Sequence, residues 1–200
     1  MTIYLGTSSS AEIDVQIRAG RLGRLCTPQG GKIPVEGTWA ADSGCFTLGA
    51  RFDLGRYLGW LDRMRPYADR CLFAPAPDVV ADWEATLARS APVLPLIEAL
   101  GYRAALVLQD GASVDTVPWG TFGALFVGGT TEFKLGPDVR AICDVAWPDV
   151  LIHVGRVNSG RRFRYARDVL GADSADGTFL SFGPGTNLPR LLAWFDAAAS

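Results

Sequence analysis

The sequence predicts an α/β protein, a compact (β/α)8-like TIM barrel with one unit missing or irregular. Short apolar runs such as Ala104–Leu108, Ala124–Val127 and Leu151–Gly155 are each bounded by turn residues, as strands covered on both faces should be. The order strand, polar turn, helix returns about every 25–35 residues along the chain, the rhythm of a parallel sheet clothed by helices. No glycine fingerprint of a dinucleotide-binding sheet follows any of these runs, which places a doubly wound fold second. In a barrel the strand ends gather at one face, and a site is expected there.

Size and composition agree with a single domain spanning residues 1–200. The chain has 200 residues, 48% of them hydrophobic, and 23 glycines, enough for a sizeable core and unlike a disordered or fibrous chain. A formal charge of -2 gives no global basic signature for nucleic acid, although a local basic face stays compatible with it. Cys26, Cys45, Cys71 and Cys143 form no C-x-x-C pair, and His153 is the one histidine, so neither a structural zinc nor another metal or cofactor is expected. Scattered thiols suit a reducing compartment. The start lacks a basic region followed by an apolar stretch, and no run reaches membrane-spanning length, so the expectation is a soluble cytoplasmic protein.

Taken in order, Ile3–Gly6 reads as a strand and Ala11–Ala19 as a helix with Ile13 and Ile17 on one face. Residues 20–34, rich in Gly, Pro and Arg, read as irregular; Arg21, Arg24 and Lys32 could meet a phosphate backbone or be simply solvated. Trp39–Asp42 is a strand, and Leu54–Met64 a helix with leucines at helical spacing. Cys71–Ala74 is a strand, followed by a helical region from Val80 to Leu100 broken near Pro92 and Pro95. After the strands at 104, 124 and 151 come a basic helix, Arg161–Leu170, a strand-like stretch Ser174–Phe182 and a closing helix Leu188–Phe195.

The strand ends supply the candidates Asp42, Asp78, Asp82, Gln109, Gly128, Gly129, His153, Arg156 and Asp176. Ala40-Ala41-Asp42-Ser43-Gly44 puts a carboxylate, a hydroxyl and a glycine at the end of an apolar approach, a pattern shared by ordinary turns and by sites where backbone meets a ligand. His153 follows Leu151-Ile152 on an apolar strand, so a core imidazole competes with a contact to substrate. Arg156 and Asn158 lie just past that strand. The run Arg161-Arg162-Phe163-Arg164 is a solvated helix face or a phosphate contact.

Set in this order, the strand ends resemble the tRNA-guanine transglycosylase superfamily, above all its phage and bacterial relatives that insert 7-deazaguanines into DNA. Ala41-Asp42-Ser43-Gly44-Cys45-Phe46 is similar to the family's Asp-Ser-Gly-Gly-Phe-Gln signature, with Cys45 in place of the second glycine. Gln109 stands where the family has a base-contacting glutamine, and Phe126-Val127-Gly128-Gly129 resembles its Gly-Gly turn. His153-Val154-Gly155 through Gly171-Ala172-Asp173-Ser174-Ala175-Asp176-Gly177-Thr178 resembles the segment that carries the nucleophile.

The resemblance implies exchange of guanine for a 7-deazaguanine base such as preQ0 at an N-glycosidic bond. A carboxylate attacks C1′ and holds the sugar covalently, and a second acid/base group serves the departing and arriving bases. It puts the nucleophile on Asp176, with Asp173 as rival, and the acid/base role on Asp42. Ser43, Gln109, Gly128 and Gly129 would contact the base, together with a carboxylate from Asp82, Asp78 or Glu84. His153, Arg156, Asn158, Arg161, Arg162 and Arg164 would contact sugar or phosphate. The sequence carries no cysteine-and-histidine cluster after Asp176, unlike the tRNA enzymes, so DNA is the expected partner, ahead of tRNA. Flipping the target guanosine would cost a few kcal/mol, and a second copy of the chain or a partner subunit could add backbone contact. Other readings of the same residues are an N-glycoside hydrolase and a catalytically silent nucleic-acid-binding subunit.

Overall fold

The structure, a computed structural model, describes residues 2–8, 10–30, 33 and 36–196. Eight parallel strands follow one another in sequence: β1 (Ile3–Gly6), β2 (Leu22–Cys26), β3 (Trp39–Ala41), β4 (Ala74–Pro75), β5 (Ala104–Leu108), β6 (Ala124–Val127), β7 (Leu151–Val154) and β8 (Ser174–Gly177). Paired neighbours run β3-β2-β1-β8-β7-β6-β5-β4. The two ends of that order meet: Ala41 N–H donates to Phe73 O at 3.0 Å, and Leu72 N–H to Trp39 O at 2.8 Å. The sheet is therefore a nearly closed barrel with no long free edge, which satisfies the backbone groups an open sheet would expose.

Nine helices cover the barrel among the described residues: α1 (Ala11–Arg18), α2 (Cys45–Leu48), α3 (Leu54–Met64), α4 (Trp83–Ser90), α5 (Leu94–Ala99), α6 (Thr131–Lys134), α7 (Pro137–Ala146), α8 (Gly160–Asp168) and α9 (Pro184–Asp196). Their starts follow from capping chemistry. Ser10, Asp82, Thr130 and Ser159 each accept a backbone N–H from the first turn of α1, α4, α6 and α8, supplying partners that helix termini lack. No helix follows β2 or β5 among the described residues, so two of the crossovers are irregular. None of the helices described is long and apolar enough to cross a membrane.

Alternation along the strands divides the core in two. Leu5, Leu25, Ala40, Phe73, Ala105 and Ala124 fill the barrel interior. Tyr4, Leu22, Ala41, Leu106, Leu125, Ile152 and Ala175 pack outward against the helices. The same two-residue period carries the inward row upward to Asp42, Gln109, Gly128, Gly155 and Asp176, so these five end their strands on the interior face.

Several sequence expectations change, among them the strand read over Cys71–Ala74, which is observed as β4 at Ala74–Pro75. The stretch 20–34 contains β2, fully buried, because Gly23 lets Leu5 and Ile3 pack where a Cβ would lie 2.5 Å from Leu5. Arg24 in β2 is 3% exposed and paired with Asp14 of α1, so it is neither solvated nor open to phosphate; Lys32 lies outside the described residues. The helical region expected from Val80 begins only at Trp83, since Asp82 caps it. The strand-like stretch from Ser174 ends at Gly177 and turns into a short 3-10 segment, Phe179–Ser181.

Candidate active site

A cleft opens at the C-terminal ends of the strands, the face at which a barrel gathers its functional residues. Its walls are apolar, from Leu25, Pro75, Val80, Val107 and Phe126. Three carboxylates, Asp42, Asp78 and Asp176, point polar chemistry into it, and Phe46, Lys134 and Arg156 stand at its margin. Each carboxylate has a distinct setting.

Asp176 ends β8. Its Oδ1 lies 3.0 Å from Nε2 of His153, and His153 Nδ1 lies 2.9 Å from the Ser174 hydroxyl. The imidazole is fully buried and wedged between Phe73 and Phe126, with ring centroids 4.7 and 4.5 Å away. An ionised carboxylate only accepts, so Nε2–H donates to Asp176, and in the neutral ring Nδ1 accepts the Ser174 O–H. One carboxylate oxygen is thereby fixed, and Oδ2 is left for the cleft.

Asp42 follows β3. Its Oδ1 accepts the Gly44 N–H at 2.9 Å. Burial raises the Asp42 pKa above the ordinary carboxylate value; the Gly44 N–H bond partly offsets this, and the nearby charges of Asp176 and Asp78 push it up again, so Asp42 holds its proton more tightly than an ordinary carboxyl. Gly44 makes the turn possible. It has φ +73°, and a Cβ there would come within 2.6 Å of Gln29 Oε1.

Asp78, in the loop after β4, is held from both sides. Gln109 Nε2 donates to Oδ2 at 2.5 Å, and the Cys45 thiol donates to Oδ1 at 2.7 Å. Gln109 is locked in turn, its Oε1 accepting Ala81 N–H at 2.9 Å. Burial, then the Asp78 charge, lifts the Cys45 thiol to about 11, so it stays a proton donor to that carboxylate. Gly128 and Gly129 form the opposite wall. Gly129 has φ +75°, and a Cβ on it would lie 2.6 Å from Asp110 and 2.7 Å from Phe133.

The remaining candidates separate clearly. Ser43 lines the cleft, with Oγ accepting Cys45 N–H at 3.3 Å. Asp82 is the N-cap of α4, accepting Ala85 N–H at 3.0 Å, and Glu84 is exposed on that helix, so of the three acids weighed for the base only Asp78 reaches the cleft. Asp173 precedes β8 and accepts Ile152 N–H at 2.9 Å, which fixes it at the other end of the barrel from Asp176. His153 is interior and cannot touch sugar or phosphate; its partner is Asp176. Arg156 lines the cleft with its guanidinium 4.2 Å over the Phe46 ring. Asn158 is exposed beside Gly177. Arg161 and Arg164 stand on α8 outside the cleft, while Arg162 lines a second, adjoining cavity. Sequence reasoning passed over Cys45 as a ligand of Asp78 and Lys134 as a wall of both cavities.

Compared by sequence, the chain matches no family profile and no curated protein. Its structure does match solved chains. One is tryptophan synthase from M. tuberculosis in its aminoacrylate- and BRD0059-bound form, at 12% identity and a TM-score of 0.50, covering 96% of this chain and 89% of that one. The chain is a TIM barrel. At that identity the likeness extends to the fold alone, and chemistry has to be argued from the cleft itself.

Proposed function

We propose that the barrel is a pentosyltransferase that exchanges guanine in DNA for a 7-deazaguanine base such as preQ0, through a covalent bond between Asp176 and the sugar. The observation that carries this reading is the pairing, in one cleft, of a carboxylate anchored by an imidazole with a second carboxyl whose surroundings favour its protonated form. Asp176 Oδ2 attacks C1′, and the bond from C1′ to the guanine nitrogen breaks with its electrons going to the base. Asp42 gives that base its proton. The incoming 7-deazaguanine then loses a proton to the Asp42 carboxylate, attacks C1′ and displaces Asp176, which returns both groups to their starting forms.

Recognition falls to the other wall. Asp78 offers a carboxylate to the N1–H and 2-amino donors that guanine and 7-deazaguanines share. Ser43 and the backbone at Gly128 and Gly129 border the same space, and Val80, Val107 and Phe126 give an apolar slot for a flat ring. The chain's sequence resemblance to the guanine transglycosylases supports the same assignment of roles.

The test is incorporation of radiolabelled guanine, then preQ0, into single-stranded DNA, duplex DNA and tRNA, with wild type beside Asp176→Asn. Label entering DNA with wild type alone is the expected result. Label entering tRNA instead would keep the chemistry and overturn the polymer. Guanine released with no base incorporated would replace exchange by hydrolysis, and no reaction at all would overturn the enzymatic reading.

A further inference from the structure

A second, small cavity adjoins the cleft and shares Lys134, Gly155 and Arg156 with it; Thr131, Arg162 and Tyr165 also line it, with Leu135, Val154, Val157 and Leu170 on its apolar side. We infer that this cavity is a phosphate site, which takes the phosphate attached to the nucleoside whose base occupies the cleft.

Three cations converge on the cavity from three elements: Lys134 ends α6, Arg156 follows β7, and Arg162 lies in the first turn of α8. None of them is ion-paired to a carboxylate among the described residues, where the pairs run Arg24–Asp14, Arg65–Asp62, His153–Asp176 and Arg167–Asp168. Asp176 and Asp110 lie near enough to favour the charged form of Lys134 without pairing with it, and with Arg156 exposed and Arg162 half-buried the cluster as a whole stays attractive to an anion from outside.

Lys134 is the most telling of the three. Only 8% of it is exposed, and its ammonium has three donors, of which one goes to Gly155 O at 3.1 Å. Lys134 lines both cavities, and its other N–H groups have no hydrogen-bond partner among the described residues. Burying such a group is costly unless a partner completes it, and a phosphate oxygen would do so. Arg156 reinforces the reading: it adopts φ +61°, a left-handed backbone that a bulky side chain rarely takes. That turn carries its guanidinium across the junction of the two cavities, where it stacks on Phe46.

The position fixes the class of ligand. Lys134, Gly155 and Arg156 border both spaces, so an anion in the second cavity lies one sugar away from a base in the first. A phosphodiester of a polynucleotide and a 5′-phosphate of a mononucleotide share this chemistry. The inference rests on the proposed function only in taking the cleft's occupant to be a guanine nucleoside.

Binding, rather than turnover, tests it. The probes are a single-stranded deoxyoligonucleotide with one guanosine, the same strand with a neutral methylphosphonate at the 5′ or the 3′ linkage of that guanosine, dGMP and deoxyguanosine. Wild type is expected to bind one methylphosphonate strand about tenfold more weakly than the native strand. Lys134→Met and Arg162→Met should lose a similar factor, show no further loss with that methylphosphonate, and lower the salt slope by about one. Arg162 is only half-buried, so its variant serves if Lys134→Met does not fold, as read by thermal melting. If dGMP exceeds deoxyguanosine by the same variant-dependent factor, a terminal phosphate suffices; if only the strands respond, the ligand is a diester. Equal binding of all five probes, or variants that keep the methylphosphonate penalty, overturns the site. Base exchange failing while the phosphate effect persists would remove the proposed reaction and leave this site standing.

Discussion

His153 Nε2 sits 3.0 Å from Asp176 Oδ1 across the interior of the barrel, with neither the imidazole nor its second partner, Ser174, exposed to solvent. β7 and β8 pair in register at His153 and Ser174, so the ring is held by two residues of one strand, two positions apart and on the same face. Phe73 and Phe126 close its remaining sides. The arrangement anchors one oxygen of Asp176 and leaves the other without a hydrogen-bond partner among the described residues.

His153 is therefore a positioning residue, and His153→Phe should lower the rate of sugar transfer by roughly two orders of magnitude, since misplacing a reacting group by about 1 Å costs about that much. KM for the incoming base should change little, because His153 does not line the cleft. His153→Gln, which can still donate to Asp176, should recover part of the loss. Single-turnover rates separate this from a structural defect, since a merely destabilised enzyme would lose active fraction and keep its rate constant. An unchanged rate for His153→Phe would detach the imidazole from the chemistry.

Asp42 yields a pH signature in stability. Its carboxyl titrates above the ordinary value of about 3.9, so the folded chain retains a proton where the unfolded chain has released it. That contribution is complete below the unfolded value and is lost as pH rises through the interval up to the folded value. Asp42→Asn removes the dependence. It should melt higher than wild type at neutral pH and lose that advantage near pH 3, each tenfold difference in proton affinity being worth about 1.4 kcal/mol. Base exchange should fall about 10²–10⁴-fold in the same variant. Parallel melting curves at pH 3 and pH 7 would contradict the assignment.

Asp78 and Asp82 lie four residues apart and should behave differently. Asp82→Ala removes the cap of α4 and should cost about 1 kcal/mol of stability with exchange kinetics unchanged. Asp78→Asn takes away the acceptor facing the cleft and sets an amide N–H against Gln109 or Cys45, so it should raise KM for 7-deazaguanine strongly as well as lower Tm. Chemical denaturation and steady-state kinetics on the two variants make the comparison. Equal effects on KM would place base recognition elsewhere.

This pair also marks how far the sequence could be read. Strand-ending residues such as Asp42, Gln109, Gly128 and Asp176 were legible because period-two alternation and turn residues set them on one face. Asp82 misled because a capping aspartate and a ligand-facing one use the same letters, and only the direction of the loop held by Gln109 and Ala81 distinguishes them. β2 was hidden because its glycine and arginine are not strand-like, and its burial depends on partners in β1 and α1 that lie outside the segment. Lys134 left one trace that could have been followed. The chain has two lysines, at positions 32 and 134, among 19 basic residues, and a lysine kept where arginine is the rule suits a narrow, partly buried niche.

Lys134 supplies the last pH-dependent expectation. Burial, followed by the nearby Arg156 charge, lowers its ammonium to about 8, against an ordinary value of about 10.4. An anion in the second cavity favours the charged form, so binding and protonation are linked. Affinity for the phosphate-bearing strand should hold steady below about pH 7 and then fall toward pH 9 as the amine loses its proton. Arg162→Met should weaken binding at every pH and keep this fall. Lys134→Met should weaken it and abolish the fall, because arginine does not titrate in that range. A pH profile of strand affinity across pH 6–9 for the three proteins reads this directly, and a fall that survives Lys134→Met would assign the titration to another group.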